Sequence, residues 1–179
     1  DVMMYDQKGD SMIYASRISA KVSLLPLLNQ KISIASAQLF GLKANLYQQT
    51  PQSKHNFQFV LDSLASKDTT KHTPLDLHIG SLIIRHGAVK YDKRYIVSKS
   101  GVFSPAHISI SDLSTHIIAN HITDDAINLH IKKLAFRDKS GLQLNSLSFK
   151  LDANKREASL KEFELQLPHS DITLGDIHA

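Results

Sequence analysis

The stretch Leu77-His78-Ile79-Gly80-Ser81-Leu82-Ile83-Ile84 carries the pattern that decides the fold. Leu77 and Ile79 alternate with other residues, a step of three follows, and the alternation resumes at Leu82 and Ile84. Alternation with period two predicts a β-strand, because successive side chains of a strand point to opposite faces of a sheet. The same pattern returns in three further stretches, residues 32–46, 129–136 and 142–151. The chain therefore contains a loose internal repeat of strands.

The step of three inside each repeat predicts a curved sheet. Such a step reverses the facing side of a strand unless the backbone bulges or bends, so each repeat is expected to carry a bulge or to turn a corner. Neighbouring strands are expected to pair antiparallel, with a spatial order that follows the sequence order. The fold class is mainly β, a curved antiparallel meander that forms an open trough or a folded-over sandwich of short strands.

Loops and short helices divide the predicted strands. Asp138–Gly141 and Asn154–Glu157 have the composition of hairpin turns. Two short helices are predicted, over residues 23–29 and 56–65, with Asn56 as the cap of the second. Residues 1–75 are accordingly predicted to hold N-terminal strands with both helices, and residues 76–179 to hold repeated antiparallel units that continue the same sheet.

Composition limits the possible functions of the chain. It has 179 residues, a net charge of +4, a pI near 9.2 and no cysteine, which rules out disulfides and thiolate chemistry within it. No apolar run approaches the roughly 20 residues that a membrane-spanning helix needs. The chain begins within an alternating pattern, at Val2 and Met4, and is expected to be a fragment of a longer protein or a processed product.

Three motifs that suggest chemistry have simpler explanations. Gly9-Asp10-Ser11 resembles the opening of a serine-hydrolase motif, but a strand-like pattern follows Ser11, which favours a hairpin turn. The histidines that lie closest together in the sequence lack the spacing of a metal motif, and no nucleotide-binding loop is present; they are His116, His121 and His130, with Asp124 and Asp125 between them. Tyr91 and Tyr95 flank two basic residues, a weak signal for nucleic acid. We predict no catalytic residue, no metal, no cofactor and no nucleic-acid partner.

The long apolar face of the predicted sheet is the main functional signal, since an exposed apolar patch of more than a few hundred Å² marks an interaction site. Neighbouring modules, helices or acyl chains could cover it. If acyl chains cover it, the face lines an apolar groove; its candidate lining is Leu77, Ile79, Leu82, Ile84, Leu129, Ile131, Leu134 and Phe136. The alternative is a structural or protein-interaction scaffold whose core is closed and binds no lipid.

The order of these features resembles the AsmA-like proteins of Gram-negative envelopes, and among them the TamB-like members. The resemblance rests on an Asp1-Val2 strand followed by Gly9-Asp10, a predicted short leucine-rich helix from Leu24 to Leu28, and the repeat Ile32-x-Ile34-x-x-Ala37-x-Leu39-x-Gly41-x-x-Ala44-x-Leu46. A polar loop, the 56–65 helix and further Leu-x-Ile repeats follow.

This resemblance implies a periplasmic segment whose full-length protein is anchored in the inner membrane by a helix outside the fragment. It also implies a groove that transports phospholipid between membranes or serves outer-membrane assembly. The implied partners are an outer-membrane assembly protein or neighbouring β modules of the same chain. No catalytic residue carries over from the family.

Overall fold

The computed structural model describes residues 1–23, 32–64, 76–123 and 125–179, which form one twelve-stranded sheet and one α-helix. In chain order the elements are β1 (Val2–Tyr5), β2 (Ser11–Ala15), β3 (Arg17–Ser23), β4 (Ile32–Phe40), β5 (Lys43–Gln48), α1 (Gln58–Leu64), β6 (Asp76–Lys93), β7 (His107–Thr123), β8 (Ala126–Asp138), β9 (Gln143–Asn154), β10 (Ala158–Leu167), β11 (Ser170–Leu174) and β12 (Ile177–His178). The predicted fold class is confirmed: the chain is mainly β, and its sheet is open and dominated by antiparallel pairs.

The spatial order of the strands follows the sequence order from β6 to β11, as predicted, but not before β6, where β5 lies beside β2 and β4 lies beside β6. β2 and β3 follow each other in the chain, and so do β4 and β5. Since β2 pairs with β5 and β3 pairs with β4, β2 and β3 together act as one long, interrupted strand, as do β4 and β5. From β6 onward, each strand pairs with the next as far as β11, and β12 pairs with β10. Among the described strands, β1 and β11 have one pairing partner each, so the path ends there without closing into a barrel.

Two pairings differ from the prediction that all neighbouring strands run antiparallel. Both β4 and β5 run parallel to β6, over the registers Ile34↔Ile79 and Ala44↔Val89. Parallel neighbours need a crossover connection of a dozen or more residues. Residues 49–75, which include α1, supply it between β5 and β6.

The predicted bulges are present. The ladder between β6 and β7 shifts register between Ile79 and Leu82, and the ladder between β8 and β9 shifts between Ile131 and Leu134. Further along the strands, the backbone takes positive φ at three non-glycine residues close to register shifts; they are His86, Asp112 and Glu162. Bulges bend a strand and increase its twist, so the repeat in the sequence places the features that would curve the sheet.

The helix and turn predictions have mixed outcomes. The second helix is confirmed as α1, whereas the first was predicted over residues that lie, apart from Ser23 at the end of β3, outside the described part of the chain. The cap assignment is wrong: Asn56 Oδ1 accepts from Tyr47 N at 2.9 Å, and its Nδ2 donates to Asn45 O at 3.0 Å, which fastens the loop to β5. Both predicted hairpin turns form, and Gly141 takes a φ of +99° in the first of them.

Candidate functional site

All eight residues predicted to line a groove lie on one face of the sheet. Residues that are directly opposite each other in neighbouring strands share a face, so the registers define rows that cross the strands. One row is apolar at every position from β3 to β12; it consists of Val22, Ile34, Ile79, Ala119, Leu129, Leu151, Leu160 and Ile177.

Two more rows run beside the first and complete the surface that we call the apolar face. The middle row consists of Ala20, Ala37, Leu82, Ile117, Ile131 and Phe149. The third row consists of Ile18, Leu39, Ile84, Thr115, Leu134, Leu147, Leu165 and Ile172. Of the remaining predicted residues, Leu77 pairs with Ile122 beyond the first row, and Phe136 pairs with Leu144 beyond the third.

Bulges keep both halves of each repeat on this face. The step from Ile79 to Leu82 in β6 is matched by the step from Ile34 to Ala37 in β4, and the paired registers stay aligned on both sides of it. At this bulge Gly80 lies against the backbone of Ala35, and a Cβ at Gly80 would be only 2.6 Å from the Ala35 carbonyl oxygen. A glycine inside a strand often marks such a close approach.

The apolar face is only partly buried. Of the eight predicted residues, Ile131 alone is fully buried, with 7% of its surface exposed, and the other seven keep partial contact with solvent. Exposure rises to 44% at Val22 and 46% at Ile177, at the two ends of the first row. Within the described residues, α1 is the only helix that could form a second layer.

The opposite face of the same strands is polar. Asn120, Asn128 and Asp152 form a ladder of side-chain hydrogen bonds across β7, β8 and β9, with lengths of 2.9 and 2.7 Å. Beside it, His130 pairs in register with Lys150. Burial and then the neighbouring lysine ammonium groups lower the pKa of His130, so the imidazole is neutral at pH 7. The sheet is therefore amphipathic.

One cleft lies on this polar side of the sheet. It has a volume of about 820 Å³, and His130, Lys150, Asp152 and Lys161 are among its lining residues. The apolar face is instead an extended surface, along which an apolar ligand would lie without being enclosed.

The sequence-based site was incomplete. Its eight residues come from β6 and β8, whereas β3, β4, β7, β9 and β10 supply most of the three rows. The repeat at residues 142–151 already contained the signal for Leu147, Phe149 and Leu151. The contribution of β7 was harder to find, because Ile117 is followed by Ile118, an apolar residue on the polar side.

The other sequence signals have structural positions of their own. Ser11 begins β2 directly after the β1–β2 turn, where Gly9 takes a φ of +86°, as the hairpin interpretation predicts. No group of three potential metal ligands comes together among the described residues; Asp124 lies outside them. The Tyr91 ring stacks on His55 at 5.9 Å, and the Tyr95 hydroxyl donates to Gln48 at 3.0 Å.

No helix in the described part of the chain is long and apolar enough to cross a membrane. Comparisons of the chain with protein-family models, with curated proteins and with solved structures gave no significant match.

Proposed function

We propose that this chain is a non-catalytic segment of an AsmA-like or TamB-like envelope protein, and that its apolar face carries the acyl chains of phospholipid. The single observation that supports this proposal is the set of three rows of side chains, apolar at every position but Thr115, which cross up to eight strands and stay for the most part partly exposed. An antiparallel sheet ordinarily buries its apolar face against a second layer. Acyl chains take the place of that layer in our proposal.

The dimensions of the face suit this role. Strands lie about 4.8 Å apart, so a row of eight residues extends roughly 34 Å. The hydrocarbon core of a bilayer, which two acyl chains fill end to end, is about 30 Å thick. One row is therefore longer than a single acyl chain, and neighbouring modules that continued the sheet would lengthen the path between the two membranes of the envelope. The resemblance to AsmA-like proteins supports a periplasmic location and a role in phospholipid transport or outer-membrane assembly.

The open edges of the sheet favour a second candidate, a scaffold that binds protein. Met3 and Tyr5 on the edge strand β1 are 55% and 54% exposed, and the edge leaves backbone groups free to pair with an added strand. In this alternative a neighbouring β module or an outer-membrane assembly protein adds a strand at β1 or β11. The apolar face then binds no lipid.

Lipid retention separates the two candidates. The chain is purified from bacterial cells, analysed by native mass spectrometry and extracted with organic solvent to identify any phospholipid. We expect bound phospholipid in the wild type and its loss in Leu134→Glu, because a carboxylate on the apolar face must be desolvated beside an acyl chain. The matched control is Lys133→Glu, one residue away on the polar face, which should retain lipid.

A second variant guards against misfolding. Ile18 lies in the same row as Leu134 but is 40% exposed, so Ile18→Glu is expected to fold and still to weaken lipid retention. A wild-type chain that carries no lipid and takes up none from vesicles would contradict the transport proposal and favour the scaffold.

A further inference from the structure

The connection between β6 and β7 exposes an unusual amount of apolar surface. Three side chains of residues 95–103 protrude most: Val97 is 88% exposed, Val102 60% and Phe103 45%. Tyr95 and Ile96 are also exposed in the same segment. These residues lie outside the apolar face, which belongs to the strands, so the proposed function does not account for them.

The base of this loop is held in place by several contacts. The Arg94 guanidinium lies 3.7 Å from the centre of the Tyr47 ring, and its Nη1 donates to Gln49 Oε1 at 3.0 Å. Lys93 N donates to Ala106 O at 2.8 Å and closes the loop. The apolar tip is thus presented from an anchored base.

Positive charge surrounds the apolar tip. Residues 93–111 contain Lys93, Arg94 and Lys99 but no aspartate or glutamate. A cleft of about 460 Å³ separates the loop from the Asp138–Leu142 turn, and Lys90, Lys99 and Lys139 all line it. Within the described part of the chain, none of these three ammonium groups has an ion-pair partner.

The two carboxylates in this cleft are already engaged. Asp92 Oδ1 is bonded to His107 Nδ1 at 2.5 Å, and Asp138 accepts from the backbone N–H groups of Ser109 and Ser140. His107 is among the residues that line the same cleft, and its Nε2 is buried without a hydrogen-bond partner. Both carboxylates therefore have partners of their own, which leaves the three cleft lysines for an anionic ligand.

We propose that this loop and cleft dock on a bilayer surface that contains anionic phospholipid. Val97, Val102 and Phe103 insert among the acyl chains, and the cleft lysines contact a headgroup phosphate. Apolar side chains next to long basic ones suit this interface, because lysine stems extend through apolar surroundings while their ammonium groups reach the phosphates. A protein partner would need acidic and apolar groups in one matching surface, whereas an anionic bilayer supplies both.

A single tryptophan tests insertion, since the chain contains none. Val97→Trp is mixed with vesicles of phosphatidylcholine alone and with vesicles that also contain phosphatidylglycerol. We expect a blue shift of its fluorescence, and quenching by brominated acyl chains, only with the anionic vesicles. The matched control is Thr173→Trp on the exposed strand β11, which should show neither change.

Charge variants test the cleft. Removal of a lysine near an anionic surface weakens binding about five-fold, so the double variant Lys99→Gln/Lys139→Gln should bind the vesicles about twenty-five-fold more weakly. Lys54→Gln/Lys155→Gln removes the same net charge from exposed positions elsewhere and should change binding far less.

The failure of this proposal is distinguishable from failure of the lipid-transport proposal. Ile18→Glu alters the apolar face and not the loop, so it should dock on anionic vesicles as the wild type does. Three results would overturn membrane docking: equal binding to both vesicle types, no vesicle binding, or an equal loss of vesicle binding in the two double variants. If the chain binds no vesicles, a protein becomes the expected occupant of the loop.

Discussion

At the scale of single residues, a buried carboxylate joins the N-terminal hairpin to the rest of the sheet. Asp6 Oδ2 accepts from the Tyr47 hydroxyl at 2.9 Å, and its Oδ1 accepts from Lys8 N and Asp10 N. Burial alone would raise the pKa of Asp6, but these hydrogen bonds outweigh it and hold the pKa below its usual value. Sequence reasoning missed this group, because Asp6 and Tyr47 are far apart in the chain and neither belongs to a motif.

Removal of the Tyr47 hydroxyl should destabilise the chain. In Tyr47→Phe, buried Asp6 loses a donor, and an unsatisfied buried polar group costs about 1–3 kcal/mol. We expect a decrease of that size in the free energy of unfolding measured in urea. The control is Tyr14→Phe, whose hydroxyl contacts exposed Asp1 at 3.2 Å and should matter little. Equal effects of the two substitutions would contradict the role assigned to Asp6.

The pKa of Asp138 predicts how the stability of the chain depends on pH. Burial would raise the pKa of this carboxyl, but hydrogen bonds from Ser140 and Ser109 outweigh it, and its pKa is lowered. A group whose pKa is lowered by folding stabilises the protein above its unfolded pKa, about 3.9 for aspartate. That stabilisation is lost as the pH falls from there through the folded pKa.

Replacement of this carboxyl should reduce the acid sensitivity of the fold. In Asp138→Asn, an amide N–H₂ faces one of the two backbone N–H donors, those of Ser109 and Ser140. We therefore expect the free energy of unfolding to fall by about 1–3 kcal/mol at neutral pH. We also expect a shallower decline of stability at acid pH than in the wild type. The free energy of unfolding, measured in urea between neutral and acid pH, checks both; parallel curves for the two proteins would show that Asp138 does not contribute.

At the scale of elements, the sequence predicted the bulges but not the direction of two strand pairs, β4 with β6 and β5 with β6. The step of three between Ile79 and Leu82 indicates a bulge, because a strand must keep both residues on one face. Alternation alone carries no information about whether neighbouring strands run parallel. The long connection between β5 and β6, with a helix in it, was the available signal for the parallel pairing of β4 and β5 with β6.

The parallel pairing depends on a residue without a side chain. Gly80→Ala places a Cβ against the Ala35 carbonyl oxygen, so β4 and β6 must separate or shift. Overpacking of this kind typically costs about 1–3 kcal/mol, and we expect a loss of that size in thermal or urea unfolding. Gly175→Ala adds the same methyl group in open space and is the matched control. If Gly80→Ala is as stable as this control, β4 and β6 approach each other less closely than the structure indicates.

At the scale of the whole molecule, the fold is an amphipathic sheet without closure. The period-two pattern placed all eight predicted residues on one face, because alternation and bulges are local properties of the sequence. The rows across the strands could not be predicted, since their register depends on pairings between distant parts of the chain. Whether acyl chains cover this face is the central claim of our account.

Photo-cross-linking tests that claim most directly. Benzoylphenylalanine replaces Leu134 on the apolar face or, in a second chain, Lys133 on the polar face, and each purified chain is irradiated with phospholipid vesicles. Our account predicts covalent adducts with acyl chains at position 134 and few at position 133, identified by mass spectrometry of the peptides. Equal adducts at the two positions, or none at position 134 in a folded chain, would contradict it.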